Sequence, residues 1–118
     1  MLRIDNLSEN RVLTLTASDK LSRKDYEHLL PQLEEMLDKH GTLRFYIKLE
    51  DLSGFDLGAL WQEIKFDFKH KNQFGKTAIV GDKKWEEWST TFSKLFFDSE
   101  MKFFYKDKSV EAWKWVNE

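Results

Sequence analysis

The chain contains no cysteine, which excludes disulfide bridges, thiolate metal sites and a thiol nucleophile together. A metal would have to be held by His, Asp and Glu alone. One proline and five glycines in 118 residues leave no Pro- or Gly-rich linker, and no repeat or low-complexity stretch divides the chain. A single domain over residues 1–118 is therefore expected, long enough to bury a core without metal or covalent cross-links. Uninterrupted apolar runs fall short of the roughly 20 residues that a membrane-spanning helix needs. At the N-terminal end, Arg3, Asp5, Glu9 and Arg11 interrupt what would be the apolar stretch of a signal peptide. The expectation is a cytoplasmic protein with no transmembrane segment. The net charge is only -2, from 19 Lys+Arg against 21 Asp+Glu, so there is no general attraction to nucleic acid, and none is expected as a partner.

What the chain does have is regular patterning. Residues 2–5 and 11–16 are short runs of Leu, Ile, Val and Thr around the polar turn Ser8-Glu9-Asn10, which reads as a hairpin. Ser22 with Asp25 makes a capping-box pattern. The helix it opens carries Leu29, Leu30, Leu33, Met36 and Leu37 on one face and stops near Gly41. Pro31 lacks the donor a helix interior needs, so a kink or a fresh helix start is expected there. Residues 43–49 alternate as a strand and lead into an acidic, glycine-punctuated turn, Asp51-Leu52-Ser53-Gly54-Phe55. A helix with Leu57, Leu60, Trp61, Ile64 and Phe68 on its inner face follows, then a strand over 74–80 apolar enough to be buried on both sides. Trp85, Trp88, Phe92, Leu95 and Phe96 mark a third helix, residues 101–105 a last strand, and Val110, Trp113 and Val116 a last helix, with Trp115 off its stripe. This order is that of an α/β fold with a mostly parallel five-stranded sheet and about four helices.

The most telling stretches are Gly58-Ala59-Leu60-Trp61 and Val80-Gly81-Asp82 with Trp85; Ser22 to Tyr26 and Ala112-Trp113 extend the match over nearly the whole chain. With these the sequence resembles the SpoIIAA-like family, small relatives of the STAS domain that are sometimes grouped with CRAL-TRIO-like lipid-binding domains. The resemblance implies successive strand-helix turns wound as a superhelix, an antiparallel first strand at one edge, and a homodimer. In the phosphorylated STAS proteins a serine directly after an aspartate, at the start of the helix after the middle strand, accepts phosphate. That place here resembles Asp56-Leu57-Gly58, which offers no hydroxyl; Ser53 is the nearest candidate and suits a local side-chain to backbone bond in a turn.

Ligands of open parallel sheets bind beyond the carboxyl ends of the strands, where Asp19, Asp51, Asp56, Asp82 and Asp107 are expected. They allow a carboxylate site for Mg²⁺, but Asp56, Asp82 and Asp107 each precede an expected helix, and capping alone accounts for them. No metal and no cofactor is expected. His28, His40 and His70 form no ligand pair. Five tryptophans and ten phenylalanines suit a tight core, an apolar pocket or an exposed partner patch, and Lys65, Lys69, Lys76, Lys83 and Lys84 beside them suit an anionic head group. The expectation is a non-enzymatic binding module for an apolar, lipid-like or anionic small molecule or for a protein partner. Its candidate surface is Asp51, Ser53, Asp56, Trp61, Lys65, Lys69, Trp85 and Trp88. The alternatives are a hydrolase using Asp51, Asp56 and Asp82, or a STAS-type regulator without the usual phosphoserine.

Overall fold

The computed structural model describes residues 1–56, 74–82 and 100–118. They form one five-stranded sheet in the order β1-β2-β3-β4-β5. The strands are β1 Leu2–Leu7, β2 Val12–Ser22, β3 Leu43–Asp56, β4 Phe74–Gly81 and β5 Met101–Tyr105. Helix α1 spans Arg23–His40; a 3-10 turn, Lys106–Lys108, leads into helix α2, Ser109–Asn117. β1 pairs antiparallel with β2 at one edge, and every later pairing is parallel. The hairpin and the mostly parallel sheet are as expected. Two α-helices rather than four are found among the described residues; the helices expected over 57–68 and 85–96 lie outside them.

Alternation along the strands sorts the core onto two faces. On one, Leu13, Leu15, Ala17, Phe45, Ile47, Leu49 and Ile79 pack with Leu29, Leu33 and Leu37 of α1. On the other, Val12, Tyr46, Ala78, Val80 and Phe104 pack with Ala112 and Val116 of α2. β4 is buried on both sides from Thr77 to Gly81, as its unbroken apolar sequence requires.

The capping box forms as written in the sequence: the Ser22 N–H donates to Asp25 Oδ2 at 2.8 Å and the Asp25 N–H to Ser22 Oγ at 3.3 Å. At the other end Gly41 has φ 81° and its N–H returns to the Leu37 carbonyl at 2.9 Å, a conformation open to glycine at little cost. α1 passes through Pro31 without a fresh start. Pro31 lies on the exposed side, and Leu29, Leu33 and Leu37 continue one buried row past it. Burying those three leucines contributes about 1.5–3 kcal/mol each, together more than the roughly 3 kcal/mol that an interior proline costs.

Two expectations are corrected. The acidic turn at 51–55 is the continuation of β3, which runs to Asp56 alongside Asp19 to Ser22 of β2. In α2 the buried positions are Ala112 and Val116, with Trp115 packed against them; Val110 is 69% and Trp113 39% exposed. The reason is a different helical phase. With Ala112 and Val116 facing the sheet, Val110 points to water, and Trp115 covers Phe104, their rings 6.0 Å apart.

Candidate functional site

β2 and β3 run in simple register as far as Ser18 opposite Glu50, and then the pairing slips. Asp19 pairs with Leu52 and Lys20 with Gly54, which leaves Asp51 and Ser53 as extra residues on β3. Asp51 and Asp19 both take positive φ, 49° and 56°, a region that aspartate enters more readily than most residues. These are successive bulges, and bulges bend a strand and re-aim its side chains at the rim of a sheet.

Beside them, at the carboxyl end of β4 and along the middle of β3, lies a cleft of about 420 Å³ lined by Tyr46, Lys48, Leu49, Glu50, Asp51, Val80, Lys106 and Ser109. Its placement follows the rule for open parallel sheets. Tyr46, Lys48 and Glu50 share one face of β3 by alternation; Lys106 and Ser109 come from the turn after β5 and the start of α2. Tyr46 is 8% exposed, and its hydroxyl donates to the Ser109 carbonyl at 3.4 Å. Its ring meets Trp113 edge to face at 5.3 Å. Burial pushes the Tyr46 phenol above the ordinary tyrosine range, so it is a neutral hydroxyl at physiological pH.

A polar row runs from the cleft across the same face of the sheet. A register shift in β1 between Ile4 and Asn6 inserts Asp5, whose carboxylate accepts hydrogen bonds from the buried Thr16 hydroxyl and from Arg3 Nε, the latter at 2.7 Å. Lys48 Nζ stands 3.5 Å from the same carboxylate. Burial works against the Asp5 charge, but the Thr16 and Arg3 hydrogen bonds and the charges of Lys48 and Arg3 prevail and hold the carboxyl below its usual range. Among the described residues, Glu50, Asp51 and Lys106 make no ion pair.

Of the expected surface, the cleft includes Asp51. Ser53 and Asp56 belong to the bulged end of β3, and Trp61, Lys65, Lys69, Trp85 and Trp88 lie outside the described residues. Asp107 does not cap α2: it sits inside the 3-10 turn, and Lys108 occupies the N-cap position with no side-chain bond. Among the described residues no three His, Asp or Glu side chains gather as a metal site would need. Tyr46, Lys48, Glu50, Lys106 and Ser109 were not singled out by sequence. The alternation of 43–49 did carry a signal for the first three, since a strand with one apolar face must present Tyr46, Lys48 and Glu50 together on the other.

A wider groove of about 680 Å³ runs between the β1-β2 turn and α2, past Ser8, Glu9, Asn10, Trp113 and Asn117. Its walls are tied to each other, Asn10 Nδ2 donating to Asn117 Oδ1 at 3.2 Å, and it lies at the β1-β2 turn, away from the carboxyl ends of the parallel strands.

The SpoIIAA-like family profile matches residues 12–117. The chain belongs to the SpoIIAA-like family. A solved structure similar to it is an uncharacterized protein of the DUF3478 family with a SpoIIAA-like fold from Shewanella loihica PV-4. The two are 30% identical with a TM-score of 0.72, over 98% of this chain and 92% of that one. No functionally curated protein matches. For this SpoIIAA-like chain the described residues contain no helix long and apolar enough to cross a membrane.

Proposed function

We propose that this SpoIIAA-like protein is a non-enzymatic cytoplasmic binding module that takes a small molecule at the carboxyl edge of its sheet. The observation that carries the reading is the cleft itself, built where β3 bulges and where the turn after β5 enters α2. A binding role suits its lining. The Tyr46 hydroxyl is held by the Ser109 carbonyl, the Lys48 ammonium leans toward Asp5, and among the described residues no hydrogen bond links two ionisable side chains of the cleft as a nucleophile and its base would need. The charged lining favours a ligand with polar groups. An apolar or lipid-like ligand would have to rely on the ring-rich segments holding Trp61, Trp85 and Trp88.

The test is native mass spectrometry of protein purified gently from its own host, set against the denatured mass. The expected result is a stoichiometric extra mass that disappears on denaturation; a bare protein mass would count against the reading. A second reading, pairing with a second copy of the chain, is favoured by the outer face of α2, where Val110 and Trp113 stand exposed three residues apart. The same spectrum reads the mass of that assembly.

A further inference from the structure

We infer that the cleft at the end of β4 and the middle of β3 recognises a small zwitterion, a free amino acid being the simplest, whose ammonium meets Glu50 and Asp51 and whose carboxylate meets Lys106. The inference rests on the ligand-site reading above and adds the chemistry of the ligand. Its ground is the opposition of charge within one cavity. Glu50 and Asp51 enter from the bulged β3, Lys106 enters from the turn after β5, and β4 lies between them with Val80 in the lining. Two strand spacings place those backbones about 10 Å apart, a span that long side chains narrow from both sides.

A ligand of one sign fits this lining poorly. A phosphate or a fatty acid would meet Lys106 but also two carboxylates that have no ion pair among the described residues. A simple amine would meet Lys106 as a like charge. Lys48 does not alter the balance, because Asp5 already stands 3.5 Å from its ammonium. The buried Leu49, Val80 and Tyr46 offer apolar surface to whatever the zwitterion carries between its charges or beyond them. A cavity of about 420 Å³ is ample for a molecule of that size.

The experiment is an amide chemical-shift titration of the isotopically labelled full chain with a pool of the proteinogenic amino acids. The strongest member is then titrated alone, as its N-acetyl derivative and as its methyl ester. The expected result is movement of amides from Tyr46 to Asp51 and from Lys106 to Glu111, with each blocked derivative binding at least about tenfold more weakly. Lys106→Ala and Glu50→Ala should each weaken the unblocked probe by about fivefold while leaving the rest of the amide spectrum in place. Equal binding of either blocked form would overturn the zwitterion and leave a cleft selective for one sign. Absence of shifts from every amino acid would also overturn it. Failure of the cleft as a ligand site is read separately, by a bare mass in the native spectrum.

Discussion

The two faces of the sheet are built to different rules, although the same strands make both. The face under α1 buries one apolar cluster from Leu13 to Ile79 across β2, β3 and β4, with Thr77 beside Phe45 as its buried polar residue. The face under α2 is apolar where the helix lies, over Val12, Tyr46, Ala78, Val80 and Phe104, and polar beyond it, where Thr16 and Lys48 both meet the Asp5 carboxylate and Glu50 reaches the cleft. One face gains its stability by burial. The other gives up some of that burial and places charged groups at the carboxyl ends of the strands, where a ligand of this kind of sheet is met.

Neighbouring residues of β3 put the contrast to its sharpest test, because Phe45 and Tyr46 face opposite ways. Phe45→Ala opens a cavity under α1 and should lower the unfolding free energy by about 3–5 kcal/mol, read by urea titration. A loss near 1 kcal/mol would mean that this face is loosely packed.

Asp5→Asn probes the polar row and is expected to cost about 1 kcal/mol at neutral pH, since a carboxylate with charged and hydroxyl donors becomes a neutral amide. The folded protein holds the Asp5 pKa below its ordinary 3.8, so its contribution is present above the unfolded value near 4 and lost as pH falls through the folded one. Unfolding curves of the two proteins should therefore converge on acidification below about pH 4 and keep a constant gap between about pH 6 and 8. A gap that widened with acid would remove the row as a source of stability.

How far the sequence foretold these two faces depends on which residues carry them. The α1 face was legible because its signals agree: the Ser22 and Asp25 capping box, the leucine row, Gly41 as a stop, and alternation in β3. The cleft was less so. Asp, Ser and Gly at 51–54 are the residues of a turn, and they are also those that tolerate a bulge; only the pairing with Asp19 to Ser22 of β2 distinguishes the two, and pairing is a long-range fact. Lys106 and Ser109 reach the cleft from a turn some 55 residues further on in sequence, a proximity that no local pattern encodes. Asp107 misled for a related reason, because the 3-10 turn moved the helix N-cap to Lys108.

Tyr46→Phe removes one hydroxyl from the α2 face and leaves the ring, with its edge-to-face contact to Trp113, in place. At 3.4 Å the bond to the Ser109 carbonyl is long, so the expected loss is only about 0.5 kcal/mol, several times smaller than that of Phe45→Ala one residue away. A loss above about 2 kcal/mol would show that the cleft-side hydroxyl holds α2 in place and would blur the division between the faces.

The smallest effect on stability should come from Val110→Glu, on the side of α2 turned from the sheet. Val110 is 69% exposed, so no core volume is lost, and a carboxylate in the first turn complements the helix dipole. The unfolding free energy should stay within about 0.5 kcal/mol of the parent. Sedimentation velocity tests the proposed contact between copies: the parent is expected to run as a dimer and the variant as a monomer, because a charge in the middle of such an apolar contact is costly to desolvate. A dimer that survives the substitution would take the outer face of α2 out of the contact. A clear loss of stability in the monomer would mean that this face too is core, and the contrast between a buried α1 side and a partly open α2 side would no longer describe the molecule.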